Sequence, residues 1–410
     1  MNEKKIALTK IKNENVKDAV FEALNLIKAD KLFGKEIKKV LLKPNLLMPK
    51  APEEGTTTDP AVLAAVIQWV KQFNPEEIIV ADSSGTQKRG KTEESFKKSR
   101  LKEICEQEGV KWTAFESTPR KLYQVENPLV LDEISASPLL EEAHIIINLP
   151  KIKTHGQCTL TRYKKNMFGT LILGNKPRTH ARFPKLEDFC AALTDIYSVS
   201  KPDLTIIDGY YGMEGNGPSA GNVVKMDTII AGYDPIALDT LVCKLIDFDP
   251  KDILYLEKGE NKQLGTTDLN SFELLGEPLK SLKRKFEKPP SHPVSVPLPR
   301  WLADYASEVI FKSTVKFNLE KCRLCATCWE NCPVDAISPP EVKDPSKYVP
   351  IWDKEKCITC YCCAELCPYE AVDFKINIVK NVLTSWLGVG AIIILIALIW
   401  IIWFLISLIF

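Results

Sequence analysis

The chain has 410 residues, with 54 Lys and Arg against 53 Asp and Glu, which gives a formal net charge of +1. A charged fraction of 26% and an apolar fraction of 45% are ordinary for folded, water-soluble domains and exclude a disordered chain, a collagen-like fibre and a polytopic membrane protein. The near-zero net charge also argues against a dedicated nucleic-acid binder, so nucleic acid is not a partner that we expect.

Residues 1–278 alternate short apolar runs with longer helical patterns. The apolar runs at 39–42, 78–81, 144–149, 204–208 and 228–231 predict strands that are covered on both faces. Helical patterns cover 16–29, 59–73, 186–199 and 236–246. Asp59-Pro60 and Asp234-Pro235 each place an N-cap acid before a proline of the first turn. This alternation predicts an α/β domain with a largely parallel sheet.

Residues 143–186 contain nine Lys and Arg but no Asp or Glu. A solvated surface usually mixes both signs, so the stretch predicts contact with an anion. Our first hypothesis is a pocket for a phosphate-bearing or carboxylate-bearing small molecule, since histidines and small polar residues are interleaved. Anionic lipid headgroups are the second and nucleic acid the third. The candidate residues for the pocket are Lys151, Lys153, His155, Lys164 and His180.

Seven short motifs lie between about residues 35 and 245: Lys43-Pro44-Asn45, Asp82-Ser83-Ser84-Gly85, Pro150-Lys151-x-Lys153-Thr154-His155, Lys164-x-Asn166-x-x-Gly169, Asp208-Gly209, Gly215-x-Gly217-Pro218 and Asp234-Pro235-x-Ala237-x-x-Asp239. Together they resemble a family known as domain of unknown function 362, which is often joined to ferredoxin modules. The resemblance implies an architecture and no established reaction. The glycine loop lacks the third glycine of a dinucleotide-binding motif, and no phosphate-loop Gly-Lys-Ser/Thr motif occurs.

Residues 279–314 change in composition. A basic run is followed by five prolines between Pro289 and Pro299, which favours an extended connector. Residues 301–314 then suggest a short helix. We therefore predict a basic, proline-rich linker over 279–314, between an α/β domain over 1–278 and a cysteine-rich domain over 315–376.

Nine of the 13 cysteines fall between Cys322 and Cys367, and eight of them repeat one spacing. The runs are Cys322-x2-Cys325-x2-Cys328-x3-Cys332-Pro333 and Cys357-x2-Cys360-x2-Cys363-x3-Cys367-Pro368. Clustered cysteines in a large chain favour metal-bound thiolates in a reducing compartment over a disulfide scaffold. In such runs three thiolates bind one iron–sulfur cluster, and the fourth binds the other cluster. A pair of zinc sites is the alternative, although zinc ligands usually come in pairs separated by a longer loop.

The cysteine-rich segment resembles the bacterial-type ferredoxin that holds two 4Fe-4S clusters, over about residues 315–376. The resemblance implies two pseudo-symmetric halves and one-electron transfer at low potential. We predict that a first thiol group binds one cluster through Cys322, Cys325, Cys328 and Cys367. A second thiol group binds the other through Cys357, Cys360, Cys363 and Cys332. Cys362 does not fit the spacing and is left out of the ligands.

Residues 381–410 contain no Asp, Glu, Lys or Arg, and 387–410 are 24 nearly unbroken apolar residues. A helix of that length spans about 36 Å, enough to cross a hydrocarbon core of ~30 Å. A buried core helix is the alternative. Lys375 and Lys380 lie just before this segment. We therefore predict a single-pass tail anchor over 381–410, with the N-terminal body and the clusters on the cytoplasmic side.

Three functions are compatible with these features. The first is a membrane-tethered iron–sulfur protein that passes single electrons between a redox partner protein and an acceptor near the bilayer. The second is a redox enzyme that reduces an anionic small molecule in the α/β domain, with the clusters as an internal relay. The third is a partner-docking or lipid-docking module.

Overall fold

The computed structural model describes residues 4–34, 36–86, 90–156, 159–161, 163–172, 174–289, 313–342 and 347–376. The predicted anchor at 381–410 lies outside these residues, and so do all but the last two residues of the predicted helix at 301–314. Among the described residues, no helix has both the length and the apolar character needed to cross a bilayer.

The strands of the N-terminal domain form one main sheet and a small separate hairpin. They are β1 Lys5–Lys10, β2 Lys39–Pro44, β3 Glu77–Asp82, β4 Lys111–Ala114, β5 Lys121–Gln124, β6 Glu133–Ala136, β7 Ile145–Leu149, β8 Lys151–His155, β9 Thr159–Thr161, β10 Leu204–Glu214, β11 Asn222–Gly232 and β12 Glu273–Gly276. The main order is β12-β1-β11-β10-β7-β2-β3-β4, and β8 continues from β7 beside β10. Within this order only β11 runs antiparallel to its neighbours, so the predicted largely parallel sheet is confirmed.

The helices of this domain lie on both faces of the sheet. They are α1 Val16–Leu26, α2 Pro60–Lys71, α3 Lys91–Lys98, α4 Leu101–Gln107, α5 Leu139–Glu142, α6 Tyr163–Met167, α7 Asn175–Arg182, α8 Leu186–Val199, α9 Pro235–Leu245, α10 Leu254–Asn261 and α11 Leu279–Leu282. Both predicted N-caps are formed: Asp59 Oδ1 accepts a hydrogen bond from Ala61 N, and Asp234 Oδ1 accepts one from Ala237 N, each at 2.9 Å.

Alternate residues of each central strand enter two separate cores. In β2, Val40 and Leu42 pack with α1 and α2 on one face, whereas Leu41 packs with α8 and α9 on the other. In β7, Ile146 joins the second core and its neighbours join the first. A strand covered on both faces has no polar side, which explains the continuous apolar runs of the sequence.

Residues 279–289 pack against the α/β domain, although their composition predicts a connector. Phe286 is buried in the core beneath α9, and its backbone N donates to Ile246 O at 3.1 Å. Arg284 N donates to Leu245 O at 2.8 Å. Of the predicted linker 279–314, this first part therefore belongs to the surface of the α/β domain.

The cysteine-rich domain is a small α+β unit. Its strands are β13 Ser313–Phe317, β14 Ile337–Ser338, β15 Ile351–Trp352 and β16 Val372–Ile376, and its helical turns are α12 Thr327–Glu330 and α13 Cys362–Glu365. The outer strands β13 and β16 pair antiparallel, as do β14 and β15. The first and last strands of the domain therefore close the two halves into one unit.

A buried carboxylate fastens α8 to the loop before β6. Asp195 accepts hydrogen bonds from the backbone N atoms of Leu129, Val130 and Leu131 at 2.8–3.0 Å. Its Oδ1 also pairs with Lys262 Nζ at 2.7 Å. The Asp195 side chain is fully buried, so its hydrogen bonds replace the water that the carboxylate would otherwise bind.

We expect Asp195→Ala to lower the apparent free energy of unfolding by about 3 kcal/mol or more, since it removes the carboxylate from the largely buried Lys262 ammonium group and the acceptor from the buried N–H of Leu131. Urea unfolding followed by circular dichroism measures this loss. Asp188→Ala, at an exposed position of the same helix, is the control and should change stability by less than about 0.5 kcal/mol. Equal effects of the two substitutions would contradict the role assigned to Asp195.

Candidate functional site

The eight predicted ligand thiols lie close to one another. Burial and the nearby thiols of Cys325, Cys367 and Cys322 raise the pKa of Cys328 to about 12. Burial also raises the pKa of Cys363 well above its ordinary value, and so do the nearby thiols of Cys360, Cys357, Cys328 and Cys332. The thiols around Cys328 are those of the first predicted group, and the thiols around Cys363 are those of the second group together with Cys328.

The backbone around the two groups repeats at an interval of 35 residues. Left-handed residues occur at Leu324 and Ala326 in the first half, and at Thr359 and Tyr361 in the second. The repeat extends to the sulfur atoms: Ala336 N donates to Cys332 Sγ at 3.2 Å, and Ala371 N donates to Cys367 Sγ at 3.3 Å. The two halves therefore present their thiols on the same local backbone.

These residues fit two 4Fe-4S clusters. Val315, Ile337 and Val372 pack against the cysteines and exclude water, and backbone N–H groups face two of the sulfur atoms. Within the described ranges, no three His, Cys, Asp or Glu side chains converge on a point where one metal ion could bind. A 4Fe-4S cluster does not require such convergence, because each of its four thiolates binds a different iron.

The polar motifs of the α/β domain meet at the carboxyl edge of the sheet, where open α/β sheets commonly bind ligands. Strands β2 and β3 end there, with Lys43 and Asp82 as a fully buried ion pair whose Nζ–Oδ1 distance is 2.7 Å. Burial lowers the pKa of Lys43 and raises that of Asp82, and the attraction between the two charges opposes both shifts.

Lys153 on β8 is held by neutral groups only. Its Nζ donates to Asn45 Oδ1 at 2.6 Å and to Thr56 O at 2.7 Å. The chain of amides continues from Asn45 Nδ2 to Asn166 Oδ1 at 2.9 Å, and from Asn166 Nδ2 to Asn148 Oδ1 at 2.6 Å. Without an acidic partner in contact, burial lowers the pKa of Lys153 to about 7.

Lys176 on α7 is a second buried ammonium group without an acid in hydrogen-bond contact. Its Nζ donates to Ser84 O at 2.7 Å and to Ser83 O. Burial lowers its pKa to about 8. Lys165 on α6 differs, because its Nζ has no hydrogen-bond partner among the described residues and lies 3.8 Å from Glu365 Oε2 of the cysteine-rich domain.

The two domains meet around an interdomain cavity with a volume of about 70 Å³. The α/β domain contributes Asn45, Ser83, Lys153, His155, Lys165 and Lys176 to its lining, and the cysteine-rich domain contributes Asn331, Cys362, Glu365 and Leu366. Glu365 is a central contact: its Oε1 lies 2.8 Å from His155 Nε2, and its backbone O accepts from Ser219 Oγ at 2.6 Å. A second contact joins Lys50 to Glu370 at 3.1 Å.

Three of the five residues predicted for the pocket line the cavity: Lys153, His155 and His180. Lys151 does not, because its buried Nζ donates to Asp208 Oδ2 at 2.9 Å. The side chain of Lys164 lies outside the described residues. His180 stacks on Phe189 at 4.3 Å, and burial lowers its pKa to about 3, so its imidazole is neutral near pH 7.

Sequence reasoning did not select Lys165, Lys176 or Cys362 for this site. Both lysines belong to the stretch without acids, so charge pattern alone could have included them. Cys362 gives no such signal, since it does not fit the cysteine spacing. It lines the cavity because it opens the helical turn that also carries Cys363.

Comparison with known proteins agrees with this division. Residues 40–244 match the family model described as domain of unknown function (DUF362), and residues 321–371 match a 4Fe-4S dicluster domain. A protein of a Synechocystis strain that is named as thylakoid-associated is 29% identical over 240 residues, which cover 57% of this chain and 71% of that protein.

Two solved structures share low similarity with the chain. The lactate racemase apoprotein of Thermoanaerobacterium thermosaccharolyticum is 13% identical, with a TM-score of 0.36, over 58% of this chain and 57% of that one. A Thermotoga maritima protein is 15% identical, with a TM-score of 0.31, over 61% and 59%. The chain thus spans less than two thirds of either structure.

The family match covers half of the chain and includes the lysine and asparagine motifs at the sheet edge, and the second match includes all eight predicted ligand cysteines. A dicluster domain with these cysteines implies two 4Fe-4S clusters and electron transfer. The chain therefore belongs to the DUF362 family and carries a 4Fe-4S dicluster domain.

Proposed function

We propose that the chain is a redox enzyme that transfers single electrons to an anionic small molecule held in the interdomain cavity. The observation that carries this proposal is that residues of the cavity lining adjoin predicted cluster ligands. Asn331, Cys362 and Leu366 line the cavity, and each directly precedes a predicted ligand in sequence: Cys332 and Cys363 of the second thiol group and Cys367 of the first. A molecule in the cavity therefore lies beside the backbone that carries ligands of both thiol groups.

One predicted ligand, Cys325 of the first thiol group, is exposed, whereas the other seven are buried or half-buried. Electrons would therefore enter from a redox partner protein at the surface around Cys325 and leave towards the cavity. The bound clusters would supply the one-electron chemistry.

The α/β domain would bind and orient the acceptor. Lys153, Lys165 and Lys176 approach the cavity from three different elements, and their ammonium groups attract an anion. Phe168 and Leu366 line the same cavity and reduce its access to water. Charges in such a site interact more strongly than they do in bulk solvent.

We also propose that residues 381–410 tether the protein to a membrane. The support is the run of 24 apolar residues and the lysines before it. The Synechocystis relative is named as thylakoid-associated, which agrees with a location at a membrane.

Cysteine substitution tests the cluster ligands. Protein purified without oxygen should hold about eight irons and eight sulfides. We expect Cys363→Ser to lower the iron content to about four, because it removes one ligand of the second thiol group, and Cys362→Ser to leave it unchanged. Iron and sulfide analysis with spectroscopy of the reduced protein measures both. Equal losses from the two variants would overturn the assignment of Cys362 as a non-ligand.

Reoxidation kinetics test electron transfer into the cavity. The reduced protein is mixed anaerobically with carboxylated and phosphorylated carbonyl compounds and with neutral carbonyl compounds of similar size. We expect at least one anionic compound to accelerate the return of visible absorbance tenfold or more. Lys165→Met should remove most of this acceleration, because it removes an ammonium group of the cavity.

Lys50→Met is the matched control for that experiment. It removes a buried ammonium group from the same interface but outside the cavity lining, so the acceleration should persist. The proposed function fails if no anionic compound accelerates reoxidation in protein with full iron content, or if both variants lose the acceleration equally.

Truncation tests the tether. We expect the full chain to remain with the membrane fraction after a carbonate wash, and a chain that ends at residue 380 to move to the supernatant with its iron content unchanged. Immunoblots of both fractions measure the distribution. A full chain that is released by the wash would show that the apolar segment does not anchor it.

A further inference from the structure

The interdomain cavity has an excess of positive charge among the described residues. Lys153, Lys165 and Lys176 line it, and so do the carboxylates of Asp82 and Glu365. Asp82 is already paired with a fourth buried lysine, Lys43. With every lysine counted as charged, four ammonium groups and two carboxylates leave an excess of two positive charges in the lining. The thiolates of bound clusters would add negative charge outside the lining. Buried ammonium groups with no acid in hydrogen-bond contact are costly, so an anion in direct contact with them would stabilise this arrangement.

Three polar atoms of this cavity can donate a hydrogen bond and lack a partner. Lys165 Nζ, Ser83 Oγ and His180 Nδ1 are buried and have no hydrogen-bond partner among the described residues; Lys165 Nζ can only donate, and the other two can donate or accept. Lys153 and Lys176 each use two of their three N–H donors. A ligand that satisfies these atoms must offer several acceptors in different directions.

The shape of this donor set favours a tetrahedral oxyanion over a planar carboxylate. The three lysines lie on β8, α6 and α7, so their ammonium groups reach the cavity from different elements. No arginine occurs among the described lining residues, and bidentate recognition of a carboxylate usually depends on arginine. The open volume of about 70 Å³ corresponds to about five water molecules, which is enough for a five-atom phosphate group.

We propose that the interdomain cavity binds a phosphate-type dianion, held by Lys153, Lys165, Lys176 and Ser83. This proposal rests on the proposed function in one respect: the dianion would be the charged group of the electron acceptor. The same chemistry can come from free phosphate or from the phosphoryl group of a small metabolite. Burial lowers the pKa of Lys153 and Lys176, and a dianion beside them favours their charged forms.

Calorimetry of the oxidised, cluster-loaded full chain tests the proposal. Inorganic phosphate, glycerol phosphate and acetate are titrated at constant ionic strength and pH 7.5. We expect inorganic phosphate to bind at least tenfold more tightly than acetate. Tighter binding of glycerol phosphate than of phosphate would identify a phosphorylated metabolite as the source, and the reverse order would identify the free ion.

Variants locate the binding to the cavity. We expect Lys165→Met and Lys176→Met each to weaken phosphate binding at least tenfold, and Ser83→Ala to weaken it threefold or more while keeping every lysine. Lys50→Met should change it less than twofold. Iron content and unfolding midpoint are measured for each variant, so that a loss of binding caused by misfolding is recognised. If the lysine variants misfold, Ser83→Ala still tests whether phosphate binds in the cavity, because it keeps every lysine.

The proposal is overturned if phosphate gives no binding heat up to about 10 mM, or if Lys50→Met weakens binding as much as Lys165→Met does. Binding is measured without electron transfer. A phosphate site can therefore be present when no compound accelerates reoxidation, and reoxidation can be accelerated by an anion that is not a phosphate, so the two proposals fail separately.

Discussion

The burial of lysine side chains between the sheet edge and the cysteine-rich domain is the constraint on which the site depends. An ammonium group leaves water only where other atoms replace its hydration. Two lysines achieve this with carboxylates, Lys43 with Asp82 and Lys151 with Asp208. Lys153 and Lys176 are instead solvated by amide and carbonyl oxygens, which supply no opposing charge. This difference separates lysines whose charge is balanced by an acid in contact from lysines whose charge is not.

Much of the fold could be predicted from the sequence, because covered parallel strands leave a clear pattern. All five apolar runs became strands, and the acids at Asp59 and Asp234 cap helices. The prediction was shorter than the structure at β10, which continues to Glu214 and pairs with β11 beyond a bulge after Gly209. The polar and glycine-rich end of that hairpin has no apolar run to indicate a strand.

The site was predicted only in part, for a physical reason. Cysteine spacing is largely local, because three of the four ligands of each cluster come from one short loop, so the two thiol groups could be proposed from sequence. A buried lysine depends on contacts made far along the chain. Nothing near Lys151 indicates that Asp208 neutralises it, or that Glu365 of the other domain reaches Lys165. Charge counting therefore identified a stretch that contributes to the cavity lining without separating its members.

Glu365 links the cysteine-rich domain to the α/β domain at the cavity. Its carboxylate contacts the α/β domain, while its helical turn carries Cys363. The lysines come from one domain and the nearest thiols from the other, so neither domain alone encloses the cavity. A fragment of either domain would therefore lack part of the cavity wall. Any use that this protein makes of the cavity depends on both domains being held together in one chain.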